Sequence, residues 1–234
     1  MTEVANTSNE IENDPTKAPI SSIDLKLMMN EVFFSIQGES SLAGWPTVFL
    51  RTTGCNIRCT YCDTKYSYYE GSRMSIGELI EKVRATKTKH VCVTGGEPMS
   101  QKNVLVLMKE LCDRGYIVSL ETNGYYDCSE VDPRVIKVID IKTPDSGEVK
   151  SFNKNNLNCL LPHDQIKFVI CSEKDFEFAR DYVRNENLDQ RCSVFFSPAF
   201  DSITPQLLAE KILAESLPVR LQLQLHKYIW NPHS

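Results

Sequence analysis

Residues 52–65 read TTGCNIRCTYCDTK and set Cys55, Cys59 and Cys62 within eight positions. The count matters as much as the spacing. Two cysteines could form a redox pair, and four would close a structural zinc site or a fully ligated iron–sulfur cluster. Three leave one metal position without a protein thiolate, so in a four-iron cluster one iron stays open to a small molecule. A zinc site completed by a distant residue such as His90, or three unrelated thiols, is the competing reading of the same spacing. The other six cysteines, Cys92, Cys112, Cys128, Cys159, Cys171 and Cys192, stand far apart. Several lie in apolar runs, where cysteine behaves as a small buried hydrophobe.

Around this cluster, short β-rich runs recur: TVFLR (47–51), HVCVT (90–94), YIVSL (116–120), VIKVIDI (135–141), QIKFVI (165–170), CSVFF (192–196) and VRLQLQL (219–225). Most are continuously apolar, which predicts parallel strands covered on both faces. Helical signals lie between them. Ser75 with Glu78 is a capping-box pattern followed by Ile76, Leu79, Ile80 and Val83 at the spacing of one helix face. A second helix is predicted over 100–114 with Ser100 as cap, a third over 173–186, and a fourth after Thr204 and Pro205. The joint between YIVSL and VIKVIDI carries the turn signals NG and DP and leaves little room for a crossover helix. The expected fold is therefore α/β, an abbreviated, partial TIM-like barrel of mostly parallel strands. Arg51, Glu97, Glu121, Lys142, Ser197 and His226 each fall at or just after the C-terminal end of a predicted strand, the rim on which α/β barrels build active sites.

Composition sets the outer bounds. The 234 residues are 41% hydrophobic and 24% charged, ordinary for a globular enzyme, and the net charge of -5 offers no global basic field for nucleic acid or an anionic membrane. No run approaches the roughly 18 apolar residues of a membrane span, and the first residues lack the apolar segment of a signal peptide. An odd count of nine cysteines suits a reducing compartment, so a cytoplasmic protein is expected. Residues 1–24, rich in Asn, Ser, Thr, Glu and Pro, read as a disordered tail, and 25–234 as one catalytic domain.

The C-x3-C-x2-C pattern with Tyr61 before the last cysteine, joined to TGGEP (94–98) directly after a predicted strand, resembles the marks of radical S-adenosylmethionine enzymes. That resemblance implies a radical SAM core: Cys55, Cys59 and Cys62 hold a [4Fe–4S] cluster, and its open iron chelates S-adenosyl-L-methionine. The cofactor is then split to an adenosyl radical, which does the hydrogen abstraction, so no side chain is assigned a catalytic role.

Four stretches, FFSIQGES (33–40), FLRTTGCNIRCTYCDTK (49–65), SLETNG (119–124) and LQLHKYIW (223–230), resemble the 7-carboxy-7-deazaguanine synthase family of the queuosine pathway. The resemblance implies a radical lyase that contracts 6-carboxy-5,6,7,8-tetrahydropterin with loss of ammonia, requires Mg²⁺, and feeds 7-deazapurine and tRNA-modification pathways. It also implies an external electron donor such as flavodoxin and a homodimer.

By the same resemblance, Tyr61, Cys62 and Asp63 touch the cofactor, as do Gly95, Gly96 and Glu97. Asp140, Ile141 and Lys142, with Ser197, Pro198, Ala199 and Phe200, surround its adenosyl and ribose portions. Thr64 supplies an oxygen to Mg²⁺, in keeping with a cation that retains water and substrate ligands. Ile36, Gln37, Gly38 and Glu39, with Thr94 and His226, face the pterin, and Arg51 binds its carboxylate. The residue types agree: an arginine fork can grip a carboxylate bidentately, and a glutamine amide beside glycine can pair with a pterin edge. A plain salt bridge from Arg51 to Glu39 or Asp63 is the alternative for that arginine, a turn residue for Thr64, and a partly exposed polar residue for His226. Pro232 aligns with the terminal residue that such enzymes turn toward substrate, while His233 and Ser234 run on. The competing functions are another radical enzyme, such as a glycyl-radical activase acting on a peptide, and a zinc-binding interaction module.

Overall fold

The computed structural model describes residues 21–230, so residues 1–20 of the expected tail and Pro232 lie outside the described residues. Ser22–Asp24, also within that expected tail, form a 3₁₀ turn, and the Ser22 hydroxyl donates to Glu110 at 2.7 Å.

Among the described residues nine strands make up the sheet: β1 (Lys26–Ile36), β2 (Pro46–Thr52), β3 (Ser72–Ser75), β4 (His90–Gly95), β5 (Ile117–Thr122), β6 (Ile136–Asp140), β7 (Gln165–Ile170), β8 (Ser193–Pro198) and β9 (Arg220–Leu221). Their order is β3-β1-β2-β4-β5-β6-β7-β8-β9. From β2 to β9 every neighbour is parallel, whereas β1 pairs antiparallel with β2 and β3. The sheet does not close, which bears out the partial barrel.

Helices α1 (Ile76–Ala85), α2 (Asn103–Asp113), α3 (Glu173–Glu186) and α4 (Pro205–Ala214) cover one face. The Ser75 and Glu78 capping box is present, an arrangement in which the cap alone is worth about 1 kcal/mol. Thr204 caps α4 with Pro205 in its first turn, and Ser172 caps α3. The second helix departs from expectation. It starts at Asn103 because Ser100 is spent in a 3₁₀ turn, Pro98–Ser100, where its hydroxyl donates to Glu97 O at 2.7 Å. As predicted, no helix joins β5 to β6; Asn156 holds that connection by donating to Gly124 O and Tyr126 O.

Strand periodicity separates the two faces of the sheet. Val48 and Leu50 of β2, Val91 and Val93 of β4, and Val118 and Leu120 of β5 pack into one core with α1 and α2. Ile166, Phe168 and Ile170 of β7 with Val194 and Phe196 of β8 pack into a second core with α3 and α4. The alternate positions form the other face: Phe49 and Arg51, Cys92 and Thr94, Ser119 and Glu121, Asp140, Gln165 and Lys167, Phe195 and Ser197. Equal apolar cover on both faces, the expectation from the runs, therefore fails at the C-terminal end. There the inner row is polar.

The last predicted strand is also shorter than its sequence. Only Arg220–Leu221 pair with β8, and the chain then turns inward so that Gln222 is buried and His226–Ile229 form α5, a single helical turn.

Candidate active site

The cysteine loop leaves β2 at its C-terminal end. Gly54 adopts a left-handed conformation (φ +94°), donates to Ser67 O at 2.9 Å, and accepts from Glu97 N at 2.7 Å. The loop after β4 lies against it backbone to backbone. A side chain on Gly96 would place its Cβ 2.1 Å from Gly54 O and 3.0 Å from Cys55 Cβ, so only glycine allows the approach. From the opposite side, Thr60 N donates to Ser146 O at 3.1 Å and Thr60 Oγ1 to Asp145 O at 2.7 Å. Arg58 N donates to Glu148 at 2.7 Å.

Cys55, Cys59 and Cys62 are all free thiols on this loop. Burial pushes the Cys59 thiol up to about 11, with Asp140 and the other two thiols adding to the rise, and burial likewise raises Cys55, with Glu97 and Cys62 adding to it. Cations are what would hold three thiolates together here, with release of protons. A single tetrahedral zinc needs thiolates about 3.8 Å apart, given a Zn–S distance of about 2.3 Å. Among the described residues no group of three or more His, Cys, Asp and Glu side chains forms a metal site as placed, for zinc or for a cluster. His90, the suggested fourth zinc ligand, stands at the other end of β4 and stacks on Trp45 at 4.7 Å. Three free thiols on one loop are the donor set of an iron–sulfur cluster with one iron left open.

Glu97 has a structural position as well as the one the motif implies. Its carboxylate is fully buried and accepts from Met99 N (2.9 Å), Thr122 Oγ1 (2.8 Å) and Asn123 N (2.7 Å). Burial raises its pKa and these three donors oppose the rise. Asn123 in turn reaches Asn56 at 3.0 Å and lies 4.0 Å from Cys55 Sγ, so Glu97 ties the end of β5 to the cysteine loop. The side chain of Ile141 is likewise buried in the core, which leaves only its backbone for any ligand.

Across the inner rim runs a chain of paired charges. Lys167 Nζ lies 2.7 Å from Glu39 and 3.5 Å from Asp140, and Lys142 Nζ lies 3.0 Å from Asp140. Burial alone would raise Glu39, but Lys167 and the Gln224 amide, 2.8 Å away, bring it down to about 2. Glu121 is raised by burial, while Lys167 and Arg51 draw it down and Glu39 raises it further; Thr94 donates to it at 3.3 Å. Asp140 Oδ1 and Gln37 Nε2 are buried without a hydrogen-bond partner, as sites built for a ligand would be. Arg51 does form a salt bridge, but with neither Glu39 nor Asp63: Glu31, its partner across the β1–β2 pair, takes Nε at 2.7 Å.

The C-terminal turn closes the rim. Leu225 N donates to Gly38 O at 2.9 Å, Gln222 Nε2 to Ser40 O at 3.1 Å, and Ser197 Oγ to Gln222 O at 3.0 Å. Burial lowers the pKa of His226, which keeps its imidazole neutral near pH 7. Lys227 bridges to Asp63 at 3.5 Å and lies 4.8 Å over the Phe200 ring. Pro198, Ala199, Phe200, Leu223, Gln224 and Lys227 help to line a cavity of about 350 Å³ there. Thr64 stands beside the last cysteine, its hydroxyl 3.7 Å from Cys62 Sγ.

Of the residues named from the sequence, Arg51, Thr94, Asp140 and Ser197 lie toward the C-terminal ends of parallel strands, and Glu39 and Lys142 join that rim through Lys167 and Asp140. Those missed are Glu31, Lys167, Gln224 and Lys227. Lys167 carried a signal, a charge inside the apolar run QIKFVI, which a covered strand tolerates only when paired. Glu31 carried none until its strand partner was known.

Residues 49–140 match the Radical SAM superfamily. A 7-carboxy-7-deazaguanine synthase of Chlorobaculum tepidum is 45% identical over 90% of this chain and 97% of its own length. One from Koribacter versatilis is 41% identical over 89% of this chain and 99% of its own. The crystal structure of QueE from Escherichia coli superposes with a TM-score of 0.73 at 22% identity, covering 86% of this chain and 95% of that one, which supports the fold. The family implies S-adenosylmethionine and a [4Fe–4S] cluster, and the three free thiols beside the Gly95 and Gly96 cradle suit both. At 45% and 41% identity over nearly the full length of two synthases, with a matching superfamily core, this chain belongs to the 7-carboxy-7-deazaguanine synthase family of radical SAM enzymes.

Proposed function

We propose that this enzyme converts 6-carboxy-5,6,7,8-tetrahydropterin to 7-carboxy-7-deazaguanine and ammonia. The observation that carries the reading is the inner polar row from Arg51 to Ser197, facing the mouth beside three thiols. The conversion is redox-neutral, since ammonia leaves with the lost nitrogen and no oxidant is consumed.

Cys55, Cys59 and Cys62 hold the cluster, and the backbone of Gly95 and Gly96 receives the cofactor beside Tyr61 and Asp63. When bound, cluster and cofactor supply the hydrogen-abstracting radical. Asp140 and Lys142 border the ribose side, with Ser197, Pro198, Ala199 and Phe200 around the adenosyl portion. Arg51 takes the substrate carboxylate with its terminal nitrogens. Gln37 offers its unpartnered Nε2 donor to the pterin's acceptors, and the ionised Glu39 is the matching acceptor for the pterin's donors. Neutral His226, packed on Gly38, closes over the ring. Thr64 contributes one oxygen to Mg²⁺, with water and substrate completing the shell. An external one-electron donor of the flavodoxin class reduces the cluster, and the enzyme works as a cytoplasmic homodimer; among the described residues no helix is long and apolar enough to cross a membrane.

The test is anaerobic reconstitution with iron and sulfide, reduction, and addition of S-adenosylmethionine, Mg²⁺ and the pterin, with product followed by mass. Wild type forms the deazaguanine and Cys59→Ala does not. Cofactor cleavage without deazaguanine would sink the substrate assignment and favour an activase.

A further inference from the structure

Arg51 lies on an inner strand of the sheet with its side chain only 13% exposed, and it is held through one of its nitrogens. Its Nε donates to Glu31 Oε1 at 2.7 Å, and the same oxygen accepts the Tyr66 hydroxyl at 2.9 Å. Phe33 and Tyr66 stand beside the guanidinium at 5.7 and 5.9 Å. Of the five guanidinium N–H groups only the one on Nε is taken by a described residue. The two terminal nitrogens remain, and they are the pair that binds a carboxylate in parallel.

Glu31 reaches this place through a bulge. Met29 pairs with Thr52, yet Glu31 pairs with Arg51, so Asn30 is an extra residue in β1. Uninterrupted pairing would set Glu31 opposite Leu50, which is fully buried among the helix-facing residues and could not accept an ionised neighbour. The bulge re-aims the side chain to the inner face. It is pinned on both sides: Asn30 Nδ2 donates to Glu70 O at 2.9 Å, and Gly71 approaches Met29 so closely that a Cβ there would lie 2.7 Å from Met29 O. Tyr66 belongs to the 3₁₀ turn Lys65–Tyr68, directly after the cysteine loop. One carboxylate oxygen therefore links the bulged strand, the arginine and that loop.

We propose that Glu31 is a positioning residue for substrate selection: it anchors Arg51 through Nε so that the two terminal nitrogens stay aimed at the substrate carboxylate, and Tyr66 locks that anchor to the cluster loop. This rests on the reading that Arg51 receives the carboxylate. The alternative resting place for Arg51 is Glu121, whose charge it already feels across Thr94. Without Glu31 the guanidinium turns toward Glu121, and the site fills with its own acid.

The test compares reconstituted wild type with Glu31→Ala, Glu31→Gln, Tyr66→Phe and Arg51→Lys. Equilibrium binding is measured anaerobically for 6-carboxytetrahydropterin and for tetrahydropterin without the carboxylate, alongside iron content. Glu31→Ala weakens the carboxylated ligand about tenfold, as expected for a charge-assisted hydrogen bond, and changes the other less than about twofold. Glu31→Gln, whose amide oxygen still accepts from Nε and Tyr66, keeps most of the preference, and Tyr66→Phe loses part of it. Iron content is unchanged throughout. Arg51→Lys abolishes the preference. If Glu31→Ala weakens both ligands equally, or neither, while Arg51→Lys abolishes the preference, the positioning role is wrong and the arginine assignment stands. If Arg51→Lys keeps the preference, both are overturned.

Discussion

A methyl group on Gly38 would lie 2.0 Å from His226 Nδ1 and 3.0 Å from the His226 backbone nitrogen. The loop after β1 and the turn after β9 are thus packed as one unit, joined by the Leu225 to Gly38 hydrogen bond. Gly38 does not need a left-handed backbone, so the cost of Gly38→Ala is the contact alone, about 1–3 kcal/mol of overpacking. Displacing the imidazole should raise KM for the pterin and lower turnover at least about tenfold. Gly38→Ala combined with His226→Ala should regain stability but not turnover, measured by thermal melts and product mass. Recovery of both would remove His226 from the substrate site.

Glu97 should matter to the protein without any cofactor. In Glu97→Gln the amide nitrogen must face a backbone N–H or the Thr122 hydroxyl, leaving a buried donor unmatched at a cost of about 1–3 kcal/mol. Denaturant unfolding of the metal-free protein reads this directly. A residue that served only to bind cofactor would leave that midpoint where it is.

The Glu39 and Lys167 pair sets an acid limit. Because the Glu39 pKa falls from 4.5 to about 2 in the folded protein, its contribution is complete above about 4.5 and is lost as pH drops toward 2. Lys167 is raised well above 10.5, burial being overcome by Glu39, Asp140 and Glu121, so its contribution persists until strongly alkaline pH. Lys167→Met leaves Glu39 enclosed without its cation and should cost about 3–5 kcal/mol at pH 7. The deficit should shrink toward pH 4, where the orphaned Glu39 takes up a proton; urea unfolding across that range measures it. A deficit independent of pH would mean that packing, not charge, is what Lys167 supplies.

The cysteines should divide into three and six. Reconstituted wild type should bind about four iron and four sulfide per chain, and Cys55→Ala, Cys59→Ala or Cys62→Ala should lose stable binding. Cys92→Ala should keep the iron, although Cys92 is fully buried, and lose only stability. Iron loss from Cys92→Ala would show that the cluster loop depends on the floor of the mouth.

How far the residues alone carried the reading depends on the range of the interactions involved. Local chemistry was legible: the capping box at Ser75, the cap at Thr204, the apolar runs that became β2 and β4 to β8, and the three-cysteine loop all rest on neighbours a few positions apart. The same local signals misled where a distant partner intervened. Ser100 resembled a helix cap until Glu97 O took its hydroxyl, and VRLQLQL resembled a full strand until Gln222 turned inward to Ser40.

What the sequence by itself determined is the chemistry available: three thiolates, a glycine-rich turn after an apolar strand, an arginine and a set of acids at strand ends. Only the tertiary structure decided which of them meet. Glu31 faces Arg51 through a bulge, Lys167 lies 128 positions from Glu39 yet pairs with it at 2.7 Å, and Gly38 yields its space to His226. The physical reason is that pairing register and the approach of distant backbones depend on the whole sheet, and no window of neighbouring residues contains them.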